Sequence, residues 1–456
     1  MNNTQGEMLH FGEFVESVAL LNLFQFNRYI LNYQHNILST GRFSIISPYS
    51  GKILEFSANF YFQTQKIYYL FEEDNHTIFL VTDDIGWGWP VRFLIFPKEE
   101  TVYALDKDAN IKTVQRHDLL VATKYFIRVY QPKKRTGKIH ILLGHPNFAH
   151  YLWNELSALD YLISNAVLST DRFQYELINL FQPLGPVEGL IDFDQLKETF
   201  TSVSAIPELH ETNVQFEGSL LRIGARLVTG KLKEKLKKQI KDLYGQRNRG
   251  PALSHNPVFW ISMKDTVSNR VFINQLEFLS RLVMNILKKY PQCNFVFDAF
   301  SLPLDYKENP MYKHYREQFN LLKESAGNER RKLLEICNRE NPALQGKIIL
   351  TDQDSLFSSI YHAQFTDFYI CHAGSLQHKI GWIYHVPGVI HLPQAKPGHA
   401  RYHMSQTENA ADVFLLPDEF VEEIPDSNQI QRNRNYIVKD IERATNFIIE
   451  EISKYI

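Results

Sequence analysis

Three stretches of this 456-residue chain concentrate side chains that can hold anions or move protons. In Cys371-His-Ala-Gly-Ser-Leu-Gln-His-Lys-Ile-Gly-Trp382 an apolar run ends in small residues and passes into a helical pattern whose apolar stripe is Leu376, Ile380 and Ile383. Ala373, Gly374 and Ser375 let the free N–H groups of a helix start approach a diphosphate. His372, Gln377, His378 and Lys379 crowd the same place, and His372 and Lys379 are suited to charge-assisted contacts with phosphate oxygens. The plainer use of such a turn is backbone geometry at Gly374, with His372 bonded inside the core.

In Gly144-His-Pro-Asn-Phe-Ala-His-Tyr-Leu-Trp-Asn-Glu155 two histidines flank another helix start. His150 and Asn154 are four apart and share a helix face, with Asn147 nearby, while Glu155 borders the apolar stripe. An imidazole there has the proton affinity of a general base at neutral pH, so His145 and His150 are both candidates. Glu155 is expected either to orient the histidine or to act as the base itself, and helix capping remains the alternative for each histidine. The third stretch, Trp260-Ile-Ser-Met-Lys-Asp-Thr-Val-Ser-Asn-Arg270, turns from apolar to polar and offers Ser262, Lys264, Asn269 and Arg270 to phosphate oxygens and ribose hydroxyls. A solvated loop would look the same.

Each stretch follows an apolar run and precedes a helical period, which is how an α/β unit places loops at strand ends. The run Ile139 to Leu143 leads into Leu152, Leu156, Leu159 and Ile163 at helical spacing. A second helix is marked by Leu232, Leu236, Ile240 and Leu243, its far face carrying Lys233, Lys235, Lys237, Lys238 and Lys241. Beyond a linker at 246–251, strands are predicted at 258–261, 294–297, 347–350, 367–371 and 388–391, with helices near 272–289, 313–338, 354–363 and 375–385. That alternation implies a parallel sheet covered on both faces. Before all of this, residues 43–105 alternate aromatic or β-branched residues with polar ones between turn formers, a β-rich pattern. The expected fold class is α/β, two Rossmann-like lobes behind a β-rich N-terminal section. The boundaries drawn are 1–130 for the β-rich section, 131–247 for the acceptor-side lobe, 248–432 for the second lobe, and 433–456 for a terminal helix packing back on the first.

Composition narrows the partners. Acidic and basic residues nearly cancel, 51 against 49, so nothing in the overall charge favours nucleic acid. Cys293, Cys337 and Cys371 are odd in number and irregularly spaced, which fits a reducing compartment better than a disulfide framework or a zinc site. The first residues lack the basic-then-apolar order of a secretion signal, and no window is long and apolar enough to span a bilayer, so a cytoplasmic location is expected. The lysine face from Lys231 to Lys241 leaves peripheral contact with an anionic membrane surface open.

The three stretches together resemble the two-lobed glycosyltransferases of the GT-B fold, in particular the family 61 group. Ile261-Ser-Met-Lys-Asp-Thr-Val-Ser-Asn-Arg270 is similar to that group's Ser-Arg-x-x-Asp/Ser-x-x-Arg loop, with Lys264 where an arginine is usual. Cys371-His-Ala-Gly-Ser375 resembles its His-Gly-Ala-Gly-like turn, and the likeness covers roughly residues 140 to 395. It implies sugar transfer from a nucleotide-sugar to a glycan or protein acceptor by an inverting, metal-independent displacement, with the donor phosphates near Lys264, Arg270, Gly374 and Ser375. No cofactor and no metal are expected. The strings Asp192-Phe-Asp194 and Asp352-Gln-Asp354 are too short to imply a bound cation, and Asp354-Ser355 reads as a helix cap. Two other functions remain open: a two-lobed nucleotide-sugar epimerase, and a non-catalytic glycan or partner-binding protein using aromatics such as Trp87 and Trp89.

Overall fold

Apolar residues on both sides of each strand build the C-terminal sheet. In Val258–Ser262, Phe259 and Ile261 join one core cluster while Val258 and Trp260 join another, and Phe368–His372 divides in the same way. A strand apolar on both faces must be covered on both, which is why helices flank it. The computed structural model describes residues 8–26, 29–62, 66–83, 88–105, 113–132, 136–204, 214–245, 256–393, 404–425 and 434–456. The expected linker at 246–251 and Trp87 lie outside them.

This sheet has six parallel strands, in spatial order Ile348–Leu350, Asn294–Asp298, Val258–Ser262, Phe368–His372, Gly388–His391 and Val413–Leu415. Numbered by sequence, that is the doubly wound order 3-2-1-4-5-6. One face is closed by Gln275–Lys289 and by the terminal helix Ile441–Ile452, which buries Ala444, Ile448 and Ile452 among Phe278, Leu282 and Ile286. The sequence expectation placed that helix on the first lobe; its apolar stripe is instead used up within this core.

A second parallel sheet, Phe200–Ser204, Gln174–Asn179, Lys138–Leu143 and Ser219–Arg222, follows the order 3-2-1-4. The β-rich section is a six-stranded antiparallel sheet that includes Lys66–Glu73, His76–Thr82 and Val91–Phe96. The helix Thr113–Val129 lays Leu119, Ala122 and Phe126 on it, with Phe126 stacked on Phe60 at 4.5 Å between centroids. Asn59 ties this sheet to the parallel one, donating to the Gly218 carbonyl at 2.8 Å and accepting from the Leu220 amide at 3.0 Å. The fold is therefore α/β with two Rossmann-like parallel sheets and a β-rich N-terminal section, the parts expected of a GT-B-like chain.

The chain divides into two compact units: residues 1–145, 150–182 and 191–227, and residues 146–149, 183–190 and 228–456. The helix Gly230–Ile240 falls in the second.

Candidate functional site

In a 3-2-1-4-5-6 sheet the connections leave strands 1 and 4 in opposite directions, and a crevice opens at their carboxyl ends. In the second unit those ends are Ser262 and His372, and a cavity of about 260 Å³ lies beyond them. Lys264, Asp265 and Arg270 reach it from one strand end, His372, Gly374 and Lys379 from the other. Pro146, Asn147 and Phe148, in the short segment 146–149 assigned to this unit, also line it. Its volume approaches the lower end of small-molecule sites, about 300 Å³.

The turn is shaped by Gly374, whose φ of 123° and ψ of −151° belong to a region only glycine enters cheaply. A Cβ there would come 4.0 Å from Arg270 Nη2, so the guanidinium stands over the bare backbone. Arg270 itself has φ 62°, the left-handed region that side chains avoid. Strain at a residue facing a cavity, next to a glycine turn, is the pattern of a ligand clamp.

The lysines come with carboxylates. Lys264 Nζ lies 2.7 Å from Asp265 Oδ2 and donates to Ser268 Oγ. Burial lowers the Lys264 pKa, a shift that Asp265 partly offsets. Burial would raise the Asp265 carboxyl, but Lys264 and Ser268 outweigh it and hold the acid below its ordinary value. Lys379 is 3.0 Å from Asp298 Oδ2 and donates to Ala299 O at 2.8 Å, and burial pushes its pKa down as well. Thr351 and Ser359 donate to the other Asp298 oxygen, at 2.8 and 2.6 Å. Lys264 and Lys379 are thus each paired with a carboxylate, and they line the cavity together with Arg270 and the turn at Gly374. Asp298 escaped the sequence reading although it is the first charged residue after an apolar strand, the signal that could have found it.

His372 is buried, its Nδ1 donating to Ala373 O at 2.6 Å. Desolvation, then Arg270 and Lys264, hold its pKa well below the ordinary histidine value, so the ring is neutral. That corrects the expectation of a cationic phosphate contact. Other expected ligands sit elsewhere. Ser262 Oγ accepts from Trp260 Nε1 at 2.9 Å and meets Cys371 Sγ at 3.2 Å inside the core. Gln377 donates to Tyr369 Oη at 3.0 Å, and His378 stacks flat on Trp382 at 3.5 Å. Asn269 is exposed. Ser375 does line the cavity.

The first unit has the same crossing point, between Lys138–Leu143 and Ser219–Arg222. Gly144, at φ 108°, ends the first strand, and a Cβ there would meet Phe181 N at 2.2 Å. The fully buried Glu155 accepts from the amides of Gly144 and His145, at 2.7 and 2.9 Å, and lies 3.7 Å from the buried Arg222. The Arg222 guanidinium stacks on Trp89 at 3.9 Å, and Trp89 is buried. The helix that follows has a π-helical stretch, Tyr151–Leu156, of the kind often found at functional sites.

Within it Asn154 Nδ2 donates to Ala225 O at 2.7 Å, which turns Asn154 Oδ1 toward His150 Nδ1 at 3.1 Å. An imidazole bonded this way carries a proton on Nδ1, so in its neutral form Nε2 keeps the lone pair. The His145 ring is 4.7 Å from the His150 ring, between centroids. Asn154, expected among the donor ligands, instead orients His150. Glu155 fixes the His145 backbone.

Among the described residues no helix is long and apolar enough to cross a membrane, and no group of three metal-ligating side chains occurs. Asp192 caps the helix Phe193–Thr199, and Asp352 accepts from the Asp354 amide at 2.8 Å. On the lysine face Lys233 is buried and donates to Glu408 O, burial lowering its pKa.

No family model matches the chain, and no curated protein matches it by sequence. Among solved structures it is similar to the E. coli heptosyltransferase WaaC with ADP, at 8% identity and TM-score 0.31, over 70% of this chain and 100% of that one. It is similar to a glycosyl transferase family 9 structure from Veillonella parvula at 10% and 0.31, covering 62% and 86%. A UDP-GlcNAc 2-epimerase from Methanocaldococcus jannaschii follows at 11% and 0.25, covering 75% and 84%. Likenesses at this level leave function to the residues of the site.

Proposed function

We propose that the chain is a glycosyltransferase whose second unit holds a nucleotide-sugar by its diphosphate, with His150 as the general base. The observation that carries this is the cavity at the crossing point of a 3-2-1-4-5-6 sheet, where Arg270 stands 4.0 Å from the Cβ position of a glycine turn. Arg270 and the amides at Gly374 and Ser375 hold the diphosphate, with Lys264 beside them.

His150 Nε2 takes the proton of an acceptor hydroxyl, whose oxygen attacks the anomeric carbon. The bond from that carbon to the diphosphate oxygen breaks with inversion, and the leaving charge is met by Arg270 and Lys264 rather than by a metal. Asn154 fixes the tautomer this requires, and Glu155 and His145 position the helix start. The acceptor is a glycan or a protein.

Calorimetry with UDP, GDP, ADP and CDP, and with their sugar conjugates, tests donor binding, and product analysis tests transfer. Arg270→Ala is expected to weaken binding, and His150→Ala to keep binding while lowering turnover about a hundredfold to ten-thousandfold. Failure of every nucleotide to bind would end the reading. Donor isomerised without acceptor would redirect it to an epimerase.

A further inference from the structure

His372 brings an acceptor to a cavity whose cationic members are all donors. Lys264, Arg270 and Lys379 are donors only, as are the amides of the turn, and all suit phosphate. His372 Nδ1 is committed as a donor to Ala373 O at 2.6 Å. A neutral imidazole with its proton on Nδ1 keeps a lone pair on Nε2. That Nε2 is buried and has no hydrogen-bond partner among the described residues, and His372 lines the cavity with only 2% of its surface exposed.

A buried acceptor left without a donor costs free energy, and native structures nearly always satisfy one with water or ligand. A phosphate oxygen cannot do so, because two lone pairs would face each other. A hydroxyl can, since its O–H points at Nε2. Among the described residues no protein donor bonds to it: His391, 5.8 Å away between ring centroids, directs its Nδ1 to Tyr436 Oη at 2.7 Å, and Ala373 offers its carbonyl.

We propose that His372 Nε2 accepts a hydrogen bond from a sugar hydroxyl of the bound ligand, either of the ribose or of the transferred sugar. It makes His372 a specificity residue that reads hydroxyls beside a diphosphate clamp. The inference rests on the donor-binding reading above and adds which chemical group His372 meets.

Calorimetry supplies the test, using whichever of UDP, GDP, ADP or CDP binds the wild-type chain most tightly, its 2′-deoxy and 3′-deoxy analogues, its sugar conjugate, and inorganic pyrophosphate. Wild type is expected to lose roughly three- to tenfold in affinity when the read hydroxyl is missing, the worth of one buried hydrogen bond. A loss on one of the deoxy analogues assigns the ribose, and a sugar-conjugate advantage that depends on His372 assigns the transferred sugar.

His372→Phe should erase that discrimination and leave pyrophosphate affinity unchanged, while His372→Gln, which returns an acceptor, should restore part of it. Discrimination retained in His372→Phe, or equal loss of pyrophosphate and nucleotide affinity, overturns the inference while leaving the donor site standing. If His372→Phe fails to fold, an unselective wild type or a His372→Gln variant without partial discrimination does the same. No binding of any probe to wild type overturns both readings.

Discussion

The two parallel sheets cross over at the same place and fill it in opposite ways. In the first unit the fully buried Glu155 rests on the amides of Gly144 and His145 and faces Arg222, so a carboxylate of the protein occupies the position an anion would take. In the second, the equivalent turn presents bare backbone at Gly374, with Arg270 over it, and opens on a cavity. Sheet order sets where an anion can bind; whether the chain carries its own anion there sets whether one is bound. The first crossing point is thereby free to hold histidines rather than phosphate.

Glu155→Ala should break the comparison most severely. It strands a fully buried guanidinium and two strand-end amides, and a loss of about 3–5 kcal/mol in urea unfolding is expected. A loss below about 1 kcal/mol would mean that Glu155 does not close the first turn.

Next in size is a pH effect confined to the second unit. Burial pushes His391 down to about 3, and desolvation, with Arg270 and Lys264, pushes His372 well below its ordinary value. Below pH ~6.5 the unfolded chain binds protons that these rings refuse when folded. Their contribution is therefore complete above that pH and drains away as pH falls, for His391 down to about 3, by roughly 1.4 kcal/mol per pH unit for each ring still neutral. Thermal unfolding at a series of pH values measures the slope, and His391→Asn should remove about one proton from it. An unchanged slope would contradict the assignment.

Arg270→Gly separates strain from binding. Relief of the φ 62° backbone is worth on the order of 1 kcal/mol, and glycine's greater freedom in the unfolded chain offsets about as much. Nucleotide affinity should fall tenfold or more, the worth of a charged hydrogen bond, with a smaller loss of stability. Equal losses in both would make Arg270 a structural residue. The smallest effect is expected at His378, which stacks on Trp382 and does not line the cavity: His378→Ala should leave nucleotide affinity nearly unchanged.

Much of the second unit was legible because its signals are long. The run at 388–391 is a strand to the residue, that at 294–297 extends by one residue to Asp298, and that at 367–371 is shifted by one, to Phe368–His372. The sixth strand, Val413–Leu415, is too short to show a period, so the full strand order was not readable. The helix expected over 375–385 closes early, at Gly381, where a Cβ would meet the Gln377 amide and the Tyr369 hydroxyl.

The site was half legible for a physical reason. Residue type identifies Lys264, Arg270 and Gly374 as suited to an anion. It does not reveal that Gln377 and Ser262 spend their polar atoms inside the core, or that burial strips His372 of its charge. Asn154 shows the same limit, since its partner Ala225 is 71 residues away.

The most direct measurement is a crystal structure of the chain with the tightest-binding nucleoside diphosphate. The account predicts diphosphate density against Arg270 and the amides at Gly374 and Ser375. Density at the Gly144 turn instead, or a turn at Gly374 closed by the protein's own side chains, would contradict it.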